Sequence, residues 1–156
     1  MFPNNRYYLF SVSAILVIAL TVYSSPLGAC SCIEPPPPKD ALKKADCVFI
    51  GKLVSYDYLD TNMRHSKYFS SATPYRHIFT VEKLWKGSVK DTIEIICGRD
   101  GASCGYYFME NQKYVIYAYK DYNDSTRLVT SLCTRTRHIR YASDDLNDLG
   151  EGIKIK

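Results

Sequence analysis

Every cysteine of the chain lies beyond residue 29, and the first two, Cys30 and Cys32, are separated only by Ser31. That placement constrains the fold more than any hydrophobic pattern does. If both are bridged, the segment beginning at Cys30 is tied at two neighbouring points to the body of the protein. The six cysteines are Cys30, Cys32, Cys47, Cys97, Cys104 and Cys133. An even number behind an export signal implies three disulfides. No C-x-x-C pair occurs, which disfavours a thiolate metal centre. Six cysteines leave the pairing itself open.

The stretch before Cys30 has the marks of a secretory signal. Arg6 is the only charge ahead of an apolar run from residue 9 to residue 23. That run is too short, and too interrupted by Ser and Thr, for a membrane span of roughly 20 residues. Pro26 and Gly28 break it, and Ala29 is a small residue suited to precede a cleavage. We therefore expect a signal peptide over 1–29 and a mature chain starting at Cys30. The competing reading, an uncleaved anchor, lacks the stop-transfer charges that would follow it. What remains is one domain, large enough for a core and small enough to profit from covalent staples. The net charge of +4 is mild and forms no long run. Nucleic acid is not an expected partner.

From residue 46 the chain reads mostly as strands. "ADCVFIGKLVSY" places Val48, Ile50 and Val54 on one face and Phe49 and Leu53 on the other. "PYRHIFTVEKLW" alternates, with Tyr75, His77, Phe79 and Val81 together. "DTIEIICG" puts Ile93, Ile95 and Cys97 on one face, and "KYVIYAYK" and "RLVTSLC" complete a set of five. With no long helix to carry parallel crossovers, these predict a mainly β fold, an antiparallel barrel or sandwich. Closure into a five-stranded barrel would remove the exposed edges. Two short helices flank the strands. "PPKDALKKA" starts near Pro38, and "ASDDLNDLG" has Ser143 as an expected N-cap, acids in its first turn and Gly150 as a C-cap. Residues 151–156 are expected to form a frayed C-terminal tail. One long polar, tyrosine-rich loop, about residues 56–73, is either a connector or a contact loop.

No catalytic constellation assembles. His65, His77 and His138 fall at no metal-ligand spacing, and neither a nucleophile elbow nor a phosphate loop is present. Bridged cysteines are not thiolates. The one pair of adjacent carboxylates that stands out, Asp144 and Asp145, is accounted for as acids at a helix start. A binding or inhibitory module, without a cofactor, is expected in place of an enzyme.

The order of these pieces carries a resemblance. "CSC" at a mature N-terminus, a proline-rich stretch, "ADCVFIGKL", "FTVEKLWKG", "CGYYF", "LCTRT" and a closing "DLNDLG" helix span nearly all of 30–150. Together they resemble the netrin-like module of the tissue inhibitors of metalloproteinases, above all its small single-domain microbial members. The resemblance implies an OB-like five-stranded barrel with flanking helices. It also implies that Cys30 pairs with Cys104 and Cys32 with Cys133, which leaves Cys47 and Cys97 as a third pair. Each bridge would close a long loop and contribute roughly 3–5 kcal/mol. Lying on opposite sides of an extended strand, Cys30 and Cys32 are expected to reach two different parts of the barrel.

The resemblance further implies a mechanism. The free α-amine and the carbonyl oxygen of Cys30 would chelate the zinc of a target metalloprotease and displace its water, while Ser31 points into the adjoining pocket. Cys32, Ile33 and Glu34, with the prolines after them, would lie along the cleft, and the backbone at Ser103 and Cys104 would form the neighbouring edge. Glu34 stands where the animal inhibitors run directly into prolines. "LGAC" also fits a bacterial lipobox, however. Lipidation of Cys30 would consume its thiol, acylate its amine and put the chain on a membrane. The alternative reading is thus a non-inhibitory binding module, extracellular or lipid-anchored.

Overall fold

The computed structural model describes residues 30–59, 74–89, 91–98 and 103–155. The expected signal peptide and residues 60–73 of the tyrosine-rich loop lie outside the described residues. A short helix, α1 (Pro38–Lys44), is followed by β1 (Cys47–Tyr58), β2 (Tyr75–Lys86), β3 (Thr92–Cys97) and β4 (Lys113–Lys120). Then come β5 (Leu128–Val129), β6 (Arg137–His138), a 3-10 turn (Ile139–Tyr141), α2 (Ser143–Leu149) and β7 (Ile153–Lys154).

The wall runs β1-β2-β3-β5-β4, and β4 returns to β1. Closure is possible because β1 serves two neighbours. Its first half pairs with β4 from Cys47↔Ala118 to Lys52↔Lys113. Its whole length pairs with β2, from Val48↔Lys86 to Tyr58↔Tyr75. Three irregularities in that register, at Val48/Phe49, Ile50/Gly51 and Leu53/Ser55, curl the strand. Gly51 sits inside the bend, where a Cβ would come 2.7 Å from the Phe49 ring. Closure also explains one departure from the sequence expectation. The pairings are antiparallel except for β3 with β5, which run parallel at Ile96↔Val129. β5 is only two residues long, so "RLVTSLC" is mostly turn, and β6 continues the wall along β4.

Alternation along the strands separates two apolar layers. Phe49, Leu53, Phe79, Ile95, Tyr114 and Ile116 fill the barrel. Val48, Val115 and Tyr117 face outward and are covered by Ala41 and Ala45 of the α1 region and by Ala142, Leu146 and Leu149 of the α2 region. Of the two faces assigned to β1, Val48 and Ile50 pack in the outer layer and Phe49 and Leu53 in the interior, as the alternation predicts. Val54 is about half exposed. Pro38 opens α1 as expected. Ser143 is the first residue of α2 rather than its cap; Ala142 caps it without a side-chain bond. Gly150 closes α2 at φ 65°, in the left-handed region. The expected frayed tail instead adds β7 to β2, through Lys83↔Lys154 and Leu84↔Ile153.

Two of the expected disulfides are present, Cys30–Cys104 and Cys32–Cys133. The third is not: Cys47 and Cys97 are buried free thiols. Both belong to the barrel interior, but their sulfurs meet different neighbours: a Cβ at Gly87 would come 2.9 Å from the Cys47 sulfur. The Cys97 sulfur instead accepts the Tyr106 N–H at 3.1 Å. Burial pushes both thiols up to about 11. A thiol titration at about pH 8 should therefore find none reactive in the native protein and two after unfolding without reductant. Finding none after unfolding would restore the third bridge.

Candidate functional site

The segment preceding α1 has no regular secondary structure, so its position is set by what grips it. Cys30 and Cys32 are held with Cα–Cα distances of 5.3 Å to Cys104 and 5.0 Å to Cys133. The two bridges lie side by side. The Cys30 sulfur is 4.0 Å from that of Cys32 and 3.7 Å from that of Cys133. The expectation of opposite sides is thus corrected: residues i and i+2 of an extended chain share a face. The receiving segments are themselves joined, because the Leu132 N–H donates to the Cys104 carbonyl at 2.8 Å. Cys104 takes φ 53°, a left-handed turn that follows Ser103. Three sulfurs within 4.8 Å could suggest a metal centre, but those of Cys30, Cys32 and Cys133 are all in disulfides.

Beyond the clamp the segment is open to solvent. Ser31, Cys32, Ile33 and Glu34 are exposed, Ile33 to 91%, while Cys30 and Ser103 are half-buried. The structure therefore brings Cys30, Ser31, Cys32, Ser103 and Cys104 onto one rim, with Ile33 and Glu34 running away from it. Pro35 to Pro38 follow and remove four consecutive backbone donors. Only carbonyls can take part in backbone hydrogen bonds in this stretch. The Pro37 carbonyl accepts the N–H groups of Asp40 and Ala41 at the start of α1.

The Pro36 carbonyl is held by a residue that sequence reasoning did not single out. Arg135 Nη1 donates to it at 3.0 Å. The same guanidinium grips Asp145 through Nε to Oδ1 at 2.8 Å and Nη2 to Oδ2 at 3.2 Å. Asp145 is fully buried, also accepts the Tyr117 hydroxyl at 2.8 Å and lies 3.4 Å from Arg137 Nε. Burial, then the bond to Asp145, raises the Tyr117 hydroxyl pKa, and the Asp145 carboxylate raises that of Arg135. Asp145 is therefore a buried partner and not only an acid at a helix start. A signal was available: Ala142, Asp145, Leu146 and Leu149 share one face of a helix.

The two described histidines, His77 and His138, do not form a site together. His138 Nδ1 accepts the Arg140 N–H, and its Nε2 lies 3.2 Å from Gln112 Oε1. His65 lies outside the described residues. His77 is buried at the barrel mouth among Phe108, Phe79, Tyr56 and Tyr75, with ring centroids 5.1–6.5 Å away.

A closed OB-type barrel with its N-terminal segment clamped to one rim by adjacent disulfides defines a netrin-like module. Residues 28–143 match the family described as tissue inhibitor of metalloproteinase, and the chain belongs to that family. No curated protein matches it significantly. No helix among the described residues is long and apolar enough to cross a membrane.

Burial pushes the His77 pKa from 6.5 down to about 4. Below pH 6.5 the unfolded chain takes up a proton that the folded chain refuses until about 4. Stability should therefore fall through that interval, by about 3 kcal/mol at most, and stay constant with respect to this group above it. Urea unfolding across the interval checks this, since His77→Phe should flatten that part of the decline.

Proposed function

We propose that the protein inhibits zinc metalloendopeptidases outside the cytoplasm, using the N-terminus created by cleavage before Cys30. The observation that carries this reading is the exposed Ser31–Glu34 stretch in a segment bridged at both Cys30 and Cys32. Membership of an inhibitor family supports it. An α-amine has a pKa of about 8, so its neutral form is accessible near neutrality and metal binding favours it. Amine nitrogen, Cα, carbonyl carbon, carbonyl oxygen and the target's zinc close a five-membered ring. That chelate would occupy the position a catalytic zinc keeps for water and so remove the nucleophile. Ser31 would enter the pocket beside the metal. Ile33 and Glu34 would follow the cleft, with Ser103 and Cys104 at its edge. A proline-stiffened segment loses little entropy on docking.

The second reading is a non-inhibitory binding module, soluble or lipid-anchored, and its lipid-anchored form requires Cys30 to carry lipid. The Cys30–Cys104 bridge disfavours that form, because a bridged sulfur cannot also form a thioether. Intact mass and N-terminal sequencing of the exported protein separate the lipid-anchored form from the inhibitor, and an inhibition assay separates the soluble form. Inhibition requires an unmodified Cys30 start and the loss of four hydrogens, two for each bridge. A lipid-sized mass increment would exclude it. One alanine added before Cys30 should abolish inhibition of a responsive zinc protease by moving the amine off the metal. Undiminished inhibition by the extended protein would end the chelation mechanism.

A further inference from the structure

The inhibitory segment has a third anchor besides its disulfides, and we infer that Arg135 is its positioning residue. This assignment rests on the inhibitory reading above and extends it to a side chain that touches neither the protease nor the zinc. Pro35 to Pro38 offer no N–H, so this stretch can be hydrogen-bonded only through carbonyl oxygens. Among the described residues, Arg135 supplies the side-chain donor to Pro36, at 3.0 Å.

Arg135 is itself held from both directions. Its guanidinium is forked onto the fully buried Asp145 of α2. Its backbone lies in a turn fastened by threonines. Thr130 Oγ1 is 2.7 Å from Thr136 Oγ1, and the Tyr117 N–H donates to Thr136 Oγ1 at 3.0 Å. Cys133, the partner of Cys32, belongs to the same turn. One rigid turn therefore grips the segment twice, covalently at Cys32 and by a charge-assisted bond four residues on, at Pro36. With both ends fixed, Ile33 and Glu34 are held in place although nothing among the described residues covers them. Asp145 lies just past the residues matched by the family, which end at 143.

Lysine cannot replace this fork, because one ammonium has neither the planar geometry nor the span to bridge a carboxylate and a carbonyl. Arg135→Lys keeps a positive charge beside Asp145, which avoids stranding a buried carboxylate. Tyr117→Phe is the companion variant. It removes one bond to Asp145 and lowers the unfolding midpoint, yet leaves the Arg135 bond to Pro36 in place.

The experiment compares the two variants with the native mature protein, below their unfolding transitions. It reads backbone 15N order parameters and inhibition of a panel of zinc metalloprotease catalytic domains. In Arg135→Lys the order parameters of Ile33 and Glu34 should fall from about 0.85 towards 0.6, while those of Phe49 and Ile116 stay unchanged. Inhibition should weaken about tenfold or more, mainly through faster dissociation. Tyr117→Phe should be less stable but inhibit like the native protein. Native order parameters at Ile33 and Glu34 in Arg135→Lys would overturn the assignment. So would inhibition that weakens in both variants in proportion to lost stability. If the native protein inhibits no member of the panel, the inhibitory reading falls instead, and the order parameters alone decide whether Arg135 positions the segment.

Discussion

Two disulfides, with the Cys30 sulfur of one within 4.0 Å of both sulfurs of the other, fix a segment that has no backbone ladder to hold it. Residues 30–37 form neither helix nor strand. Prolines deny them donors, and the exposed Ser31, Ile33 and Glu34 bury nothing that could drive them onto the barrel. A segment with so little non-covalent attachment would sample many conformations if reduced. Bridging Cys30 and Cys32 to Cys104 and Cys133 transfers the rigidity of the barrel to it. Its exposed face can then be directed at a partner at little further entropic cost.

The barrel is suited to that load because it is closed. β1 pairs with β2 along its length and with β4 along its first half, so the wall of a small domain has few free edges. Both layers of β4 are used: Tyr114 and Ile116 fill the interior, and Val115 and Tyr117 seat the helices. The turn bearing Cys133 and Arg135 leaves this strand system through the short β5 and re-enters it at β6. Both receivers of the clamp are therefore close neighbours on one rim, linked by the Leu132 to Cys104 backbone bond.

The Arg135–Asp145–Tyr117 cluster belongs to a different energetic class. A buried ion pair contributes little net stability over a well-packed apolar substitute, since desolvation opposes the Coulombic gain. Its fully hydrogen-bonded geometry does specify orientation. Here the Tyr117 bond adds stability to the packing of α2 on β4, while the Arg135 bonds orient its turn on α2 and the proline segment on that turn.

Much of the fold was legible in the sequence. Period-two alternation located β1 to β4 and sorted Phe49 from Val48, because each face meets a different apolar layer. Pro38 and Gly150 marked helix ends through their backbone preferences. The short elements were not legible. β5, β6 and β7 have two residues each, too few for a period, and exist because neighbouring strands offer them partners. Cys47 and Cys97 could not be read as unpaired from their number alone, since pairing depends on which sulfurs the tertiary structure brings together. Nor could Asp145 be read as the anchor of Arg135 ten residues away, because its burial arises only when α2 packs on β4. The sequence by itself determined the class of protein: a cysteine-stapled barrel that carries a C-x-C segment ahead of its strands. Tertiary structure decided where that segment stands and what grips it, because contacts between residues distant in the chain leave no local pattern.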